Sequence, residues 1–328
     1  MTAGRFYFIA PMPRLAGSGG WAAELRRIED LGFHAVAVSE HYSRGWAMDA
    51  LTAMNFALAH TSRLHALPLV LNNDLHHPAV LAKAIATADV LSAGRAALGI
   101  GAGWLPGDYQ ALGVEYQPAP VRIARLREAL QVITTFFAAS QAAGPASQVA
   151  GPASQVTFDG QYYQLSGLEA LPCPVRVPRP PLLVAGSGPK MLELAASYAD
   201  IVGIHMRLPS GAFDQRSAAE LTRASIAAKV SLVAAAAARE GRPAPALQLT
   251  CYDVNIGGTQ VTPARPAVTD CIRARPALFA DSPAVLRGDV GQCADQLERW
   301  QEELGIGYWN LGGNIDALAP VVARLSGG

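Results

Sequence analysis

Short continuous apolar runs alternate along the chain with longer runs whose apolar residues recur three and four positions apart, the rhythm of strands followed by helices. Strands are expected near Phe6–Ala10, Ala35–Ser39, Ala66–Leu71, Ala96–Ile100, Pro181–Ala185, Ile201–His205, Leu247–Val254 and Tyr308–Leu311. Helices are expected near Trp21–Leu31, Asp49–Ala59, Ala79–Leu91, Arg122–Phe137, Pro189–Tyr198, Ala218–Arg239 and Cys293–Leu304. The strand runs do not alternate polar with apolar, which fits a parallel sheet covered on both faces. Eight strands with interleaved helices predict an α/β fold, a single (β/α)8 TIM barrel with insertions after strands 4 and 7. A doubly wound sheet is the rival, because counting strands does not prove closure.

Two stretches break the rhythm. Ala143–Val149 and Ala150–Val156 are tandem copies of Ala-Gly-Pro-Ala-Ser-Gln-Val, a pattern with nothing to pack, and this reads as a mobile surface loop. It runs into Phe158-Asp-Gly-Gln-Tyr-Tyr-Gln-Leu165, where Asp159-Gly160 signals a hairpin turn. The second stretch, Gly257–Arg287, is rich in Pro, Gly and Thr, and in a barrel such a segment builds a lid or substrate wall. One domain over 1–328 is expected, with the loop and hairpin at 140–180 and the other insertion at 255–290.

Composition narrows the class. Hydrophobic residues at 51% against charged ones at 16% suit a large core and exclude disorder. A formal charge of +0 argues against nucleic acid or an anionic membrane as partner. The four cysteines form no CxxC pair, so reduced thiols in the cytoplasm are expected. The apolar run after Met1 is too short for a signal peptide, and no stretch has membrane-spanning length.

Among candidate sites, Leu182-Leu-Val-Ala-Gly-Ser-Gly-Pro-Lys190 carries the strongest signal. A strand runs through Ala185, Gly186, Ser187 and Gly188 into a helix opened by Pro189, whose missing N–H costs nothing at that position. Free N–H groups and the helix dipole would favour an anion such as a phosphate. A tight turn without a ligand is the plainer alternative. Gly99-Ile-Gly-Ala-Gly103 only superficially resembles a dinucleotide fingerprint, since Leu105-Pro106-Gly107 is not expected to open a helix. Its glycines could instead clear space for a flat ring. His41, with Glu40 before it and Trp46 beyond, ends the second strand, where an imidazole can exchange protons near neutral pH or serve structure alone. Glu40 could orient a neighbour or form an ion pair. Adjacent His76 and His77 point in opposite directions on an extended segment, so no metal site is expected.

Taken together, the blocks Val38-Ser-Glu-His41, Asn72 to Ala82, Asp89 to Arg95 through Gly103-Trp104, Asp108-Tyr-Gln-Ala-Leu-Gly113, the Gly186–Lys190 turn and Leu286 to Gly291 occur in a recognisable order. The chain resembles the luciferase-like monooxygenase superfamily, in its coenzyme F420-dependent branch. The resemblance implies a homodimeric barrel with a deazaflavin or flavin ring at the mouth. It places the cofactor phosphate on Ala185, Gly186, Ser187, Gly188 and Pro189, and the ring beside Glu40, Asn72 and Asn73, where relatives often carry a non-proline cis peptide. Ala102 and Gly103 would approach the ring edge. His41 corresponds to a proton donor and Trp46 to an aromatic residue near it, while Trp104 and His205 would contact substrate. Two departures stand out: His76 occupies a position usually held by arginine, and Ala102-Gly103-Trp104 lacks a glutamate that some deazaflavin dehydrogenases carry.

These implications favour an F420H2-dependent reductase moving hydride to an activated C=C, C=N or C=O bond of a small molecule. An FMN-dependent monooxygenase using O2 and a non-catalytic flavin-binding barrel are the alternatives.

Overall fold

The computed structural model describes residues 6–15, 19–43, 45, 48–144, 154–208, 213–261 and 266–326. Trp46 and most of the duplicated Ala-Gly-Pro-Ala-Ser-Gln-Val segment lie outside them. The chain divides into two compact units, Met1–Ala37 with Val184–Gly328, and Val38–Leu183.

In the first unit, parallel strands run side by side in the order Ala35–Val38, Tyr7–Pro11, Ile306–Asn310, Ala246–Thr250 and Ile201–Ile204. Register is marked by stacking: Tyr7 pairs with Tyr308 and their ring centres lie 4.3 Å apart with the planes nearly parallel. Strands Ala35–Val38 and Ile201–Ile204 are buried at every position, as continuous apolar runs require when both faces are covered. Helix Pro189–Tyr198 packs on helix Arg223–Arg239. Helix Val290–Leu304 starts on a capping box between Asp289 and Gln292, which satisfies two end N–H groups at once.

Two expected elements of this unit are broken. Leu247–Val254, read as one strand, is Ala246–Thr250 followed by Asp253–Ile256. The backbone changes partner between them: the Cys251 N–H donates to the Asn310 carbonyl and the next, from Tyr252, to Ala284. The second piece joins Thr259–Gln260 and Val285–Gly288 in a small sheet of its own. Ala218–Arg239, read as one helix, is Gln215–Ala219 and Arg223–Arg239, the latter restarted by Thr222, whose side chain accepts from the Ser225 N–H.

In the second unit, helices Ala50–His60, Pro78–Leu91 and Ala119–Ala143 surround short parallel strands His65–Pro68, Leu71–Asn72 and Leu98–Gly101. The expected strand Ala66–Leu71 is thus two pieces, with a cis peptide at Leu69–Val70 between them. The Asp89–Arg95 block turns out to be a brace. Asp89 accepts from the backbone N–H groups of Val175 and Arg176, and Arg95 donates to the carbonyls of Leu58, Leu64 and Ser92. Leu58 lies in the last turn of helix Ala50–His60, whose carbonyls have no partner within the helix.

The hairpin is present as strands Gln155–Asp159 and Gln164–Glu169, but its turn is longer than the Asp-Gly signal implied. Gly160 is needed for space rather than for a left-handed turn, because a Cβ there would fall 2.4 Å from Glu128 Oε2. Leu105-Pro106-Gly107 also departs from expectation. Pro106 opens helix Pro106–Leu112, and Gly113 ends it in the left-handed conformation. Proline at a helix start and glycine just past its end is the usual asymmetry of helix termini. No helix among the described residues is long and apolar enough to cross a membrane.

Candidate functional site

Strand Ala35–Val38 delivers Glu40 and His41 just past its end, and the segment after them folds back onto helix Pro106–Leu112. His41 Nδ1 lies 2.9 Å from Asp108 Oδ2. The other carboxylate oxygen accepts from the Tyr42 N–H, the Ser43 N–H and the Ser43 hydroxyl at 2.9, 2.8 and 2.7 Å. Burial alone would raise the Asp108 carboxyl, yet the hydrogen bonds from His41, Ser43 and Tyr42 outweigh it and hold it below the usual carboxylate range. The His41 ring meets the Trp104 ring edge-on at 5.7 Å. His41 is therefore an oriented imidazole bounded by an aromatic wall.

Glu40 is buried and orients its neighbours. Oε2 accepts the Asn72 N–H at 2.7 Å, and Oε1 pairs with His76 Nε2 at 2.8 Å. His76 thus partners this carboxylate where the resemblance expects arginine. The Tyr42 hydroxyl donates to the same carboxylate at 3.4 Å. Burial first, then the Glu40 and Asp49 charges, push that phenol up to about 12, so it remains a donor. His77 turns away from His76 and sets its ring edge-on to Tyr163.

Asn72 and Asn73 sit side by side in a polar lattice. Asn72 Oδ1 accepts from the Asp74 N–H at 3.1 Å and from the Tyr109 hydroxyl at 3.1 Å. That hydroxyl also faces Asp74 Oδ2 at 3.0 Å, while Arg125 sits 2.9 Å from the other oxygen of Asp74. Burial, then the Asp74 charge, raise the Tyr109 phenol well above its ordinary range. Asn73 is buried and donates from Nδ2 to the Tyr163 hydroxyl at 3.3 Å.

Two glycines near Trp104 are required by the protein's own packing. A Cβ on Gly99 would lie 1.9 Å from the Pro68 carbonyl oxygen, and one on Gly103 would lie 2.1 Å from the Tyr109 hydroxyl. They clear space for the protein's own neighbouring strand and for the Asn72 lattice. The carbonyls of Ala102 and Gly103 both accept from the Arg122 guanidinium, which fixes this backbone from outside the strand.

Glu128 is a residue that sequence reasoning missed. Its carboxylate accepts the N–H groups of Gln161, Tyr162 and Tyr163 at 3.0, 2.7 and 3.3 Å, and so holds the hairpin tip that bears Tyr163. Charge-assisted bonds of this kind are the stronger class. We expect Glu128→Ala to lower stability by about 1–3 kcal/mol. Hydrogen exchange should show the loss concentrated at residues 160–163; equal protection there in both proteins would contradict this role.

In the first unit, the turn predicted to bind phosphate has the expected form. Strand Leu182–Gly186 leads through Ser187 to Gly188, which caps helix Pro189–Tyr198 with no side chain closing the helix end. Gly186 is fixed by packing, since a Cβ there would strike Met191 at 2.2 Å. Gly188 faces open space: nothing lies within 4 Å of its Cβ direction. The His205 N–H donates to the Gly186 carbonyl at 2.9 Å, and Lys229 Nζ donates to the His205 carbonyl at 2.7 Å. The His205 backbone is thus tied to the turn. Lys229 also pairs with Glu220 at 3.0 Å.

Glu40, His41, Asn72, Asn73, Ala102, Gly103 and Trp104 all belong to the second unit and are joined by the contacts above. Ala185, Gly186, Ser187, Gly188, Pro189 and His205 belong to the first.

With this geometry in hand, comparison with known proteins is informative. The F420-dependent glucose-6-phosphate dehydrogenase of Kineococcus radiotolerans is 33% identical over 178 residues, covering 52% of this chain and 48% of that protein. This chain spans about half the length of the curated relatives it matches. The 4-hydroxyprotoasukamycin monooxygenase of Streptomyces nodosus subsp. asukaensis is 34% identical over 108 residues, or 32% of this chain and 28% of that one. A solved F420-dependent secondary alcohol dehydrogenase, in complex with an F420–acetone adduct, superposes with a TM-score of 0.70 at 18% identity, covering 98% of this chain and 97% of that one. At that identity the likeness establishes the fold, and the fold class is the α/β, TIM-barrel one that the strand–helix alternation predicts. The luciferase-like monooxygenase family model matches residues 20–256, and the chain belongs to that family.

Proposed function

We propose that this protein is a coenzyme F420-dependent oxidoreductase that reduces an activated C=C, C=N or C=O bond of a small molecule. The observation that carries the reading is His41, a strand-end imidazole held on a carboxylate, in a chain whose curated relative is F420-dependent. When bound, the reduced deazaflavin supplies hydride. The chain's own residues bind, orient and move a proton. Ser187, Gly188 and the N–H groups opening helix Pro189–Tyr198 are suited to a phosphate, because that helix end carries no capping side chain and Gly188 faces open space. Asn72, Asn73, Ala102 and Gly103, braced by Glu40, Tyr109 and Arg122, are assigned to the ring. His41 delivers the proton, with Trp104 beside it as a substrate wall. His205 is proposed to contact substrate. The sugar-phosphate oxidation named for the relative is not carried over, since Trp104 stands in the region where the resemblance expects a glutamate. The same reading includes a homodimer in the cytoplasm.

The monooxygenase relative favours a second reading, an FMN-dependent monooxygenase. Titration of the purified protein with F420 and with FMN decides between them. Tight FMN binding with none for F420 would overturn our preference.

Gly188→Asp isolates the phosphate assignment. An aspartate at that helix cap stabilises the helix, and its backbone and surroundings admit a side chain. Beside a phosphate the same charge repels, so affinity for F420 should fall at least about tenfold while thermal stability holds or rises. Undiminished affinity would place the phosphate elsewhere.

A further inference from the structure

His41 acts, on the reading above, through one ring nitrogen, and the structure shows what holds the other. Asp108 lies in the first turn of helix Pro106–Leu112 and is almost wholly buried. One carboxylate receives four donor contacts: His41 on Oδ2, and Tyr42 N–H, Ser43 N–H and Ser43 hydroxyl on Oδ1. The approach is made possible by Gly107, where a Cβ would fall 2.8 Å from the Ser43 hydroxyl oxygen. An ionised carboxylate can only accept, so the proton between the two side chains belongs to Nδ1.

We propose that Asp108 is a positioning residue for His41, fixing its Nδ1–H and making Nε2 the atom through which the imidazole exchanges a proton. The proposal rests on His41 being the proton-transfer group. In the step, the Nε2–H bond of the imidazolium breaks and its electron pair stays on the ring. The proton joins the substrate atom that does not receive the hydride, while hydride and its two electrons come from the reduced deazaflavin. The imidazole is left neutral, with Nδ1–H still on Asp108, and Asp108 remains a carboxylate throughout. The described groups facing His41 suit this cycle. Asp108 comes from helix Pro106–Leu112, and Trp104 presents a neutral ring. A carboxylate beside an imidazole favours its charged form. An aspartate in this arrangement keeps the ring in one tautomer without itself gaining a proton.

Asp108→Asn tests it. Asparagine keeps the shape and can still accept from Tyr42 and Ser43, but it turns an NH2 donor toward His41. Nδ1 must then carry a lone pair, the neutral ring must hold its proton on Nε2, and the imidazolium loses its partner. Nitrogen-15 NMR of the cofactor-free protein reads this directly. In the unmodified protein, neutral His41 should be the Nδ1–H tautomer, a measurement that needs no variant to fold. In Asp108→Asn it should be the Nε2–H tautomer, with a protonation midpoint lower by about one pH unit or more. Turnover with reduced F420 should fall about a hundredfold or more, with KM and cofactor affinity unchanged and the pH profile displaced in the same direction. An Nε2–H tautomer in the unmodified protein overturns the proposal whatever the reaction is. So does a variant whose His41 resonances are unchanged and whose loss appears only in stability or KM. Altered resonances with unaltered turnover would instead overturn the proton-transfer reading beneath it.

Discussion

Replacing His41 by alanine is expected to lower turnover by about 10²- to 10⁴-fold, the range spanned by a single general acid or base. Affinity for F420 should stay nearly the same, because the groups assigned to phosphate and ring do not depend on the imidazole. The residues around it support this separation. Without His41, Asp108 still accepts from the Tyr42 N–H, the Ser43 N–H and the Ser43 hydroxyl, so the loop remains docked on helix Pro106–Leu112. Glu40 still holds the Asn72 N–H and His76. Among the described contacts, the variant loses the charge-assisted hydrogen bond to Asp108 and the Trp104 edge contact, a modest cost to folding. Single-turnover kinetics with reduced F420 check the outcome. Unchanged turnover would remove His41 from the chemistry, and lost cofactor affinity would give it a binding role instead.

Much of this arrangement was legible in the sequence where the chemistry is local. Helix Pro189–Tyr198 has the residues expected of it, because proline at a first helical position after Gly-Ser-Gly is a signal carried within five residues. Strands buried on both faces showed as unbroken apolar runs. What sequence could not show are contacts made across long separations. Asp108 and His41 are 67 positions apart, and Glu128 and Tyr162 are 34 apart. Each acid reads locally as a solvated helix residue. A signal for Asp108 did exist: an acidic side chain in the first turn of a helix opened by Pro106 and closed by Gly113. It was hidden because that segment was not taken for a helix. Element breaks were missed for a related reason. Nothing local to Leu247–Val254 announces that Cys251 and Tyr252 bond to different strands.

His76 illustrates how a departure from a family pattern can be absorbed. Arginine would give buried Glu40 a permanent cation with several donors. The imidazole gives it one nitrogen, at 2.8 Å, and the remaining capacity of the carboxylate is taken by the Asn72 N–H and the Tyr42 hydroxyl. A buried carboxylate needs its lone pairs satisfied more than it needs any particular cation. The Asn72 backbone stays tied to Glu40 either way, which is what the site requires of it.

The two glycine-rich segments should respond very differently to a single methyl group, and the contrast separates glycines that serve the fold from one open to a ligand. Gly99→Ala is expected to lose about 3 kcal/mol or more of stability. Its new Cβ would lie 1.9 Å from the Pro68 carbonyl oxygen and 3.3 Å from Val70 Cγ1. Neither side of the clash can yield cheaply. Gly99 lies within strand Leu98–Gly101, and Pro68 closes the parallel strand His65–Pro68. Relief would require moving one strand from the other, along with the Asn72 lattice that continues from them. Gly188→Ala should change stability by less than about 1 kcal/mol, since its extended backbone suits alanine and the stiffer unfolded chain offsets alanine's poorer fit at a helix N-cap. Urea unfolding of the two variants beside the unmodified protein measures both. A Gly99→Ala protein as stable as its parent would mean that the strands are not held as closely as the structure shows, and a Gly188→Ala protein destabilised as far as Gly99→Ala would mean that the space before helix Pro189–Tyr198 is already filled by the protein itself.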